Sequence, residues 1–539
     1  PDHRVKRYSE SVRKHNANRG LRVFGLVTAI AFAFPGLYLV WRNFTSGADP
    51  LGLLFSNQTL QPLWRTIYLA GLVSVSAACL GTALAWLTAR TDLPFRKLWS
   101  VLLPVPLVFP TFIGAAAFIR ALSPGGLASE WLTAFGVHHT PQLRGLFGAW
   151  LVLTFFCYPY VYLPVNARLK QLPGSYEQTA LLLGDTQPQV FLRVVLRQIG
   201  SSITAGTLLV FLYTISDFGA VQLMRFDTLT RAIEMNYLAR PPISFAMSLI
   251  LLALAAVVVV SERAASRHLP DIRTHRPQHA LKYELGSWKV PSLLLVIATF
   301  AISIVAPVAA MADWALGGTL RSDGRPLTVS VSKIVEATIN TLTSSIATGV
   351  VALLLITPIA FLANRHKDRI GRFTHSVVIS TFAIPGILIA LSLRFWTIRS
   401  GFIGSFFYDS MALLIFAYVV RFAALAMGAA SVAVNAVPTA LHDAAATLGA
   451  DRRRRFRTVD VPVMKPGLLA ATGLVVLSTM KELPISLLLA PIGFPTLTTR
   501  IFSSFEEAFV AEAGIMALVL VTASAFLSWS LVLRRSDAL

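Results

Sequence analysis

Apolar stretches of about 20 residues, the length a helix needs to cross about 30 Å of hydrocarbon, recur from one end of the chain to the other with short polar segments between them. The pattern predicts about twelve membrane-spanning helices, over 21–41, 64–88, 98–120, 145–166, 201–224, 243–261, 290–313, 338–363, 374–397, 409–432, 467–489 and 512–533. Runs this long exclude a closed barrel, whose strands alternate apolar and polar positions over short segments. The fold class expected is therefore an all-α polytopic membrane protein. The first run, Leu21 to Trp41, is longer than a signal-peptide core and no small-residue cleavage site follows it, so it is expected to stay in the mature protein.

Composition agrees: of 539 residues, 55% are hydrophobic and only 14% charged, and the mean hydropathy is +0.65. A net charge of +21 would in another chain suggest nucleic-acid binding, but here the cations sit between the spans, in alternate loops. Arg4, Lys6, Arg7, Arg13, Lys14, Arg19 and Arg22 precede or open the first span, and Arg263, Arg267, Arg273, Arg276, Lys282 and Lys289 follow the sixth. Arg365, Lys367, Arg369 and Arg372, and then Arg452 to Arg455 with Arg457, mark two more loops of the same side. The positive-inside rule makes these loops cytoplasmic and places both termini inside, with anionic lipid headgroups and no nucleic acid as neighbours. Cys79 and Cys157 lie in apolar spans away from any other Cys or His at ligand spacing and read as buried thiols without a redox or zinc role.

Residues 60–240 repeat in residues 335–505. Thr66, Ala89-Arg90 and Pro110 fall on Thr341, Asn364-Arg365 and Pro385 at a shift of 275, and Pro173, Gly184 and Asp217 fall on Pro438, Gly449 and Glu482 at a shift of 265. The longer polar loop 121–144 of the first copy absorbs the difference. Six spans per copy, an even number, give two tandem repeats in the same orientation. The expected division is a cytoplasmic segment 1–20, a first transmembrane repeat 21–262, a basic linker 263–289 and a second repeat 290–539.

Between the fourth and fifth spans of each half lies a long polar segment of helical character. The second reads Asp443-Ala444-Ala445-Ala446-Thr447-Leu448-Gly449, followed by Val459-Asp460-Val461-Pro462. This resembles the cytoplasmic "EAA" loop of ABC importer permeases, in which an acid, two alanines and a glycine precede Ile-x-Leu-Pro. The first copy, Gln178-Thr179-Ala180-Leu181-Leu182-Leu183-Gly184, lacks the acid and the final proline, with Glu177 one residue earlier as its substitute. The resemblance implies the type I importer fold and gives the loops their role: Glu177, Ala180, Gly184, Asp443, Ala444, Ala445, Gly449 and Pro462 would form two coupling helices that dock on two copies of a separate ATP-binding subunit. The chain contains no G-x-x-x-x-G-K-[ST] loop, so ATP-Mg is expected in that partner and this chain is expected to be a transport subunit, not an enzyme.

In the fifth and eleventh spans Thr214-Ile215-Ser216-Asp217-Phe218-Gly219 falls on Thr479-Met480-Lys481-Glu482-Leu483-Pro484. A carboxylate inside a span is costly unless it meets a partner or a watery cavity. Asp217 and Glu482 are therefore candidates to face each other across a central pathway, or else to be structural, Asp217 capping a broken helix near Gly219. Ser216, Lys481 and Tyr213 accompany them, and Pro110 and Pro385 suggest broken helices lining the route, or ordinary kinked packing. These phrases, with Leu487 to Phe494, are similar to the fused permeases of ferric-iron importers. That resemblance implies a periplasmic ferric-binding protein, a bacterial inner-membrane location and Fe3+ as cargo, with transient ligation by Asp217 and Glu482 compatible with a hard ion's preference for oxygen. Thiamine, polyamine or phosphonate import on the same architecture is the alternative. A secondary transporter would not need paired coupling loops, and no clustered His, Asp or Ser constellation marks a membrane enzyme.

Overall fold

The structure is a computed structural model and describes residues 19–45, 50–122, 143–266, 281–317, 330–366, 368–507 and 509–536. The basic N-terminal segment up to Asn18, most of the 121–144 loop, and Arg267, Arg273, Arg276 and Lys367 lie outside the described residues. Within them the fold is helical, and the sole β-type pairing among the described residues is a single bridge between Thr91 and Tyr283.

Ten helices are long and apolar enough to cross a membrane, and two bent pairs bring the number to twelve. They match the expected spans in order, but several are longer, and the fifth and eleventh start earlier and stop at Ser216 and Met480, short of the expected ends at 224 and 489, because the helix breaks before Asp217 and Glu482. The second runs Asn57–Arg90, the eighth Val331–Arg365 and the eleventh Arg453–Met480. The excess lies at their more polar ends. The third and ninth spans are not straight. Arg96–Val108 meets Thr111–Ala121 at 95°, and Arg369–Thr381 meets Gly386–Arg399 at 104°. Pro110 and Pro385 stand at the two corners with extended backbone, each N-capping the segment that follows. A proline has no N–H to continue the preceding helix, but its fixed φ starts a new one.

The chain forms two compact units that do not follow its halves. One comprises Pro1–Ser46, Ser330–Arg500 and Thr522–Leu539, the other Gly47–Val329 and Ile501–Val521. The first helix, Arg19–Thr45, thus packs with elements of the second repeat: Thr374 Oγ1 donates to Gly25 O at 3.1 Å, and Arg22 pairs with Asp368 at 2.9 Å. In the other unit the Ala306–Gly317 helix packs on Thr111–Ala121. The repeat detected in the sequence begins after these first helices.

Within each unit the core helices meet on small residues, as membrane helices do when packing replaces hydrophobic drive. A Cβ on Gly206 would come within 2.8 Å of Val161 Cα, and one on Gly467 within 2.7 Å of Ala433 Cβ. Large apolar side chains such as Val27, Ile30, Val75 and Leu354 point outward, the pattern of a surface solvated by lipid. Cys157 is buried but Cys79 is exposed, which corrects its expected burial: it sits on the outward face of its helix.

Candidate functional site

The polar segments between the fourth and fifth spans of each half fold alike. Gly174–Leu182 and Thr439–Thr447 are short helices, opened by Pro173 and Pro438 in matching extended conformation. Each closes on a glycine with positive φ, Gly184 at 92° and Gly449 at 77°. Asp185 N donates to Ala180 O and Ala450 N to Ala445 O, at 3.1 and 3.0 Å, while the glycine N–H groups reach Leu181 O and Ala446 O at 3.1 and 3.0 Å. This pair of bonds is the Schellman closure, and it turns the chain into the next helix. There both halves carry a five-residue π-helical stretch, Phe191–Val195 and Phe456–Asp460, before the fifth span continues.

The anchoring of the first loop is electrostatic. Arg90, at the end of the second span, and Glu177 are fully buried and form an ion pair of 3.1 Å. Arg90 Nη2 also donates to Leu172 O at 3.0 Å, and Tyr283 Oη donates to Glu177 Oε2 at 2.5 Å. Burial and the adjacent carboxylate hold the Tyr283 phenol above its ordinary pKa. Tyr283 belongs to the linker, which lies against the end of the second span: Tyr283 N donates to Arg90 O at 2.8 Å and Asp92 N to Tyr283 O at 3.2 Å. Lys289 closes the strap on Asp92 at 2.8 Å and holds that carboxyl below its usual range.

The second loop reaches the same end by other residues. Arg365, equivalent to Arg90, donates to Val437 O at 3.0 Å, as Arg90 does to Leu172 O. The position of Glu177 is taken by His442, and the carboxylate comes from buried Asp460, 3.0 Å from His442 Nε2 and 3.9 Å from Arg365. Asp443 is exposed, as are Ala444 and Pro462, while Ala445 is half-buried and Ala180 buried. Sequence reading thus singled out Glu177 and Asp443 but missed Arg90, Arg365, Tyr283, His442 and Asp460. The repeated Ala-Arg and Asn-Arg pairs were the available signal for the two arginines.

On their outer faces the loops present apolar side chains in matched positions. Tyr176 and Leu441 are 50% and 48% exposed, Leu183 and Leu448 82% and 86%.

The broken fifth and eleventh spans also superpose. In each, an acid follows the helix end: Asp217 after Leu196–Ser216, and Glu482 after Lys481, the last-turn cap of Val461–Met480. Asp217 is buried, and Thr111 Oγ1 donates to its Oδ2 at 2.5 Å while Ala220 N and Val221 N reach Oδ1 at 3.0 and 3.4 Å. This is the geometry of a capping carboxylate for Gly219–Leu223. Glu482 is half-buried, and its Oε1 occupies the space a Cβ would take at Gly386, the position equivalent to Thr111. Each acid thus meets the residue just after the proline corner of its own half. Below them Thr230 Oγ1 donates to Asp217 O at 2.7 Å and Thr498 Oγ1 to Glu482 O at 3.1 Å. The N–H groups of Leu229 and Leu497 are received by Thr66 and Thr341, both at 2.8 Å. Ser216 is buried beside Asp217, Lys481 is half-buried, and the Tyr213 ring packs against that of Tyr160, tilted by 38° with centroids 5.4 Å apart. Asp217 and Glu482 belong to different compact units. Among the described residues no group of three or more His, Cys, Asp or Glu side chains is arranged to hold a metal.

Comparison with known proteins places this geometry. The family described as binding-protein-dependent transport system inner membrane component matches residues 77–273 and again 356–538, once per repeat. The chain is 27% identical over 508 residues to the Fe(3+)-transport system permease protein FbpB 2 of Haemophilus influenzae, covering 92% of this chain and 94% of that protein. It is 31% identical over 156 residues to the sulfate transport system permease protein CysT of Escherichia coli, covering 29% of this chain and 55% of that one. The molybdenum transport system permease protein ModB of Mycobacterium bovis matches at 26% over 239 residues, 43% of this chain and 86% of that one.

Proposed function

We propose that this chain, which belongs to the binding-protein-dependent transport system inner membrane components, is the fused permease through which an ATP-driven importer passes ferric iron. The observation that carries the cargo is the alignment of both halves, over nearly the whole length, with an Fe(3+)-transport permease, whereas the sulfate and molybdenum relatives cover shorter parts of the chain. Transport itself follows from the family. Two tandem permease repeats in one polypeptide supply what two separate subunits would otherwise supply.

The coupling loops are where an ATP-binding subunit would dock, one copy on each. Leucines and a tyrosine left bare on a water-facing helix support this reading, because such side chains favour burial against a partner. A push on the first loop enters the Asn57–Arg90 helix through the Arg90–Glu177 pair, and enters the Phe191–Ser216 helix through the continuous backbone after Gly184. That helix ends at Asp217. In the second half the corresponding route runs from Gly449 through Arg453–Met480 to Glu482. Nucleotide-driven movement of a docked subunit would thus be delivered to the broken segments at Pro110 and Pro385, where bent helices can change angle without breaking a continuous hydrogen-bond ladder.

The loops, being basic, lie on the cytoplasmic side of the inner membrane with both termini, and a periplasmic binding protein would deliver the ion to the opposite face. Asp217, with Ser216 and Tyr213 near it, and Glu482, next to Lys481, each stand at the break of their own half, and passage would use weak and transient ligation at each, suited to release. ATP-Mg is bound and hydrolysed by the partner. The shorter sulfate and molybdenum alignments support a second reading, import of another small solute by the same machinery. Uptake of radioactive iron, sulfate and molybdate by cells expressing the full transporter separates the two. Iron accumulation that is lost in Asp217→Asn/Glu482→Gln supports the proposal, and accumulation of only another solute overturns the cargo.

A further inference from the structure

The two proline corners are held against the neighbouring span by different chemistry. Arg421 lies ten residues into Met411–Asn435, about 15 Å along it at about 1.5 Å per residue, so its charge stands near the middle of about 30 Å of hydrocarbon. A cation at that depth needs partners, and these lie on the broken ninth span of the same compact unit. Arg421 Nη1 donates to Ile384 O at 2.6 Å and to Phe382 O at 3.1 Å, with the guanidinium over the Phe382 ring at 5.7 Å from its centroid. One residue earlier on the tenth span, Val420 O lies 3.0 Å from Thr381 Oγ1.

The two carbonyls that Arg421 meets are ones the break leaves over. In a continuous helix Phe382 O and Ile384 O would receive the N–H groups of Gly386 and Leu388. Here Leu388 N turns to Pro385 O at 3.0 Å, and among the described residues no backbone N–H donates to either oxygen. The corner also supports the acid of its half. Glu482 Oε1 fits against Gly386, next to Pro385, and Arg394 on the outer arm Gly386–Arg399 donates to Leu488 O at 2.6 Å, in the Pro484–Leu489 helix.

In the first half Phe156 takes the position of Arg421, at the shift of 265. Its ring meets that of Phe109, the residue equivalent to Ile384, edge to face with centroids 6.0 Å apart, and a Cβ on Gly114 would come within 2.5 Å of it. Tyr158, two residues on, donates to Leu103 O at 2.7 Å, well before the corner. A ring at position 156 packs against the corner but donates nothing to its carbonyls.

We propose that Arg421 is a positioning residue for transport, which sets the bend at Pro385 by supplying the donors that the break removed. Both corners interrupt the helical ladder, but a change of angle at Pro385 has to break two charge-assisted bonds in a medium of low dielectric, whereas the corresponding contact at Pro110 is between apolar rings. The second half therefore keeps its bend more firmly than the first, and the two copies of the repeat respond unequally to the same push. The role in transport rests on the importer reading; the latch itself does not.

Arg421→Phe gives the second corner the side chain that the first already uses, and Arg421→Lys keeps the charge but offers a single ammonium group to the carbonyls. Hydrogen exchange of the full-length chain in detergent, without cargo or partner, reads the latch. Exchange over 379–389 is expected to rise by about tenfold or more in Arg421→Phe and by less in Arg421→Lys, with 104–114 unchanged in both. Unchanged exchange over 379–389, an equal rise at both corners, or a lysine variant no better protected than the phenylalanine one would overturn the latch. If Arg421→Phe is not recovered folded, the lysine variant decides on the same two segments. ATP hydrolysed per iron imported, in proteoliposomes with the ATP-binding partner and ferric-loaded binding protein, reads the role in transport. A rise of several-fold in Arg421→Phe, mostly restored in Arg421→Lys, is expected, and an unchanged ratio would overturn that role. Failure of the wild-type chain to import would count against the importer reading and leave the exchange result standing.

Discussion

The Arg90–Glu177 pair gives the sharpest quantitative test of how the first coupling loop is held. Both side chains are fully buried, and Glu177 is shared with Tyr283. Glu177→Gln keeps the shape and an acceptor for Tyr283 but leaves the Arg90 charge buried without its counter-charge. Removing one partner of such a pair costs about 3–5 kcal/mol, which is about two to three and a half powers of ten in an equilibrium constant. The cheapest relief is local: the Gly174–Leu182 helix lifts away so that water reaches the guanidinium. Hydrogen exchange over 174–185 should therefore rise by orders of magnitude while the core of the Asn57–Arg90 helix keeps its protection. ATP hydrolysis by the docked partner should continue with transport reduced. The double variant Arg90→Met/Glu177→Leu, which replaces the pair by apolar groups of similar size, should recover most of the protection. Wild-type protection in Glu177→Gln, or a double variant no better than the single one, would refute the assignment of the pair as the anchor.

Three further outcomes follow from the geometry. Gly184→Val and Gly449→Val place a branched side chain at φ of 92° and 77° with open space around it, so the cost is backbone strain of about 1–2 kcal/mol and the readout is loss of coupled transport without loss of membrane insertion. Thr66→Val and Thr341→Val each orphan a buried backbone N–H, at Leu229 and Leu497, and each should lower thermal stability by about 1–3 kcal/mol, to similar extents, in a detergent melt. Burial and then Glu506 raise the pKa of Glu234, with Arg231 opposing. A raised carboxyl contributes stability that is full below its unfolded value of about 4.3 and is lost as pH rises through the folded value. Glu234→Gln should therefore raise the melting temperature at neutral pH, with the gain vanishing in acid, and a gain that persists in acid would contradict this.

The spans and the tandem repeat were legible because lipid imposes length and apolarity on every crossing segment. Pro110 and Pro385 carry their backbone restriction with them, which marked where the third and ninth spans are perturbed but left broken helices and ordinary kinked packing as alternatives. The bends of 95° and 104° were not legible, because an apolar run reads the same whether it crosses straight or turns. The glycine closures of both coupling helices were legible, but the anchoring was not. Glu177 finds Tyr283 across 106 residues, and in the second half the acid moves from the loop helix to Asp460, where the motif has no acid to compare. A position-by-position overlay sees a substitution of His442 for Glu177. The fold conserves the arginine's attachment and changes which segment supplies the charge. Asp217 was noticed as a costly acid, and its bonds to Thr111, Ala220 and Val221 show how that cost is offset.

The central claim is that this permease admits iron on the signal of a loaded binding protein and the power of a separate ATPase. The most direct measurement is iron accumulation in proteoliposomes holding the full-length chain and its ATP-binding partner, with ferric-loaded or iron-free binding protein outside and ATP within. ATP-dependent iron uptake only with the loaded binding protein, abolished by Asp217→Asn/Glu482→Gln with both loops still docked, is the result expected. Accumulation without ATP, or none with any ferric-loaded binding protein while another solute is imported, would contradict the account.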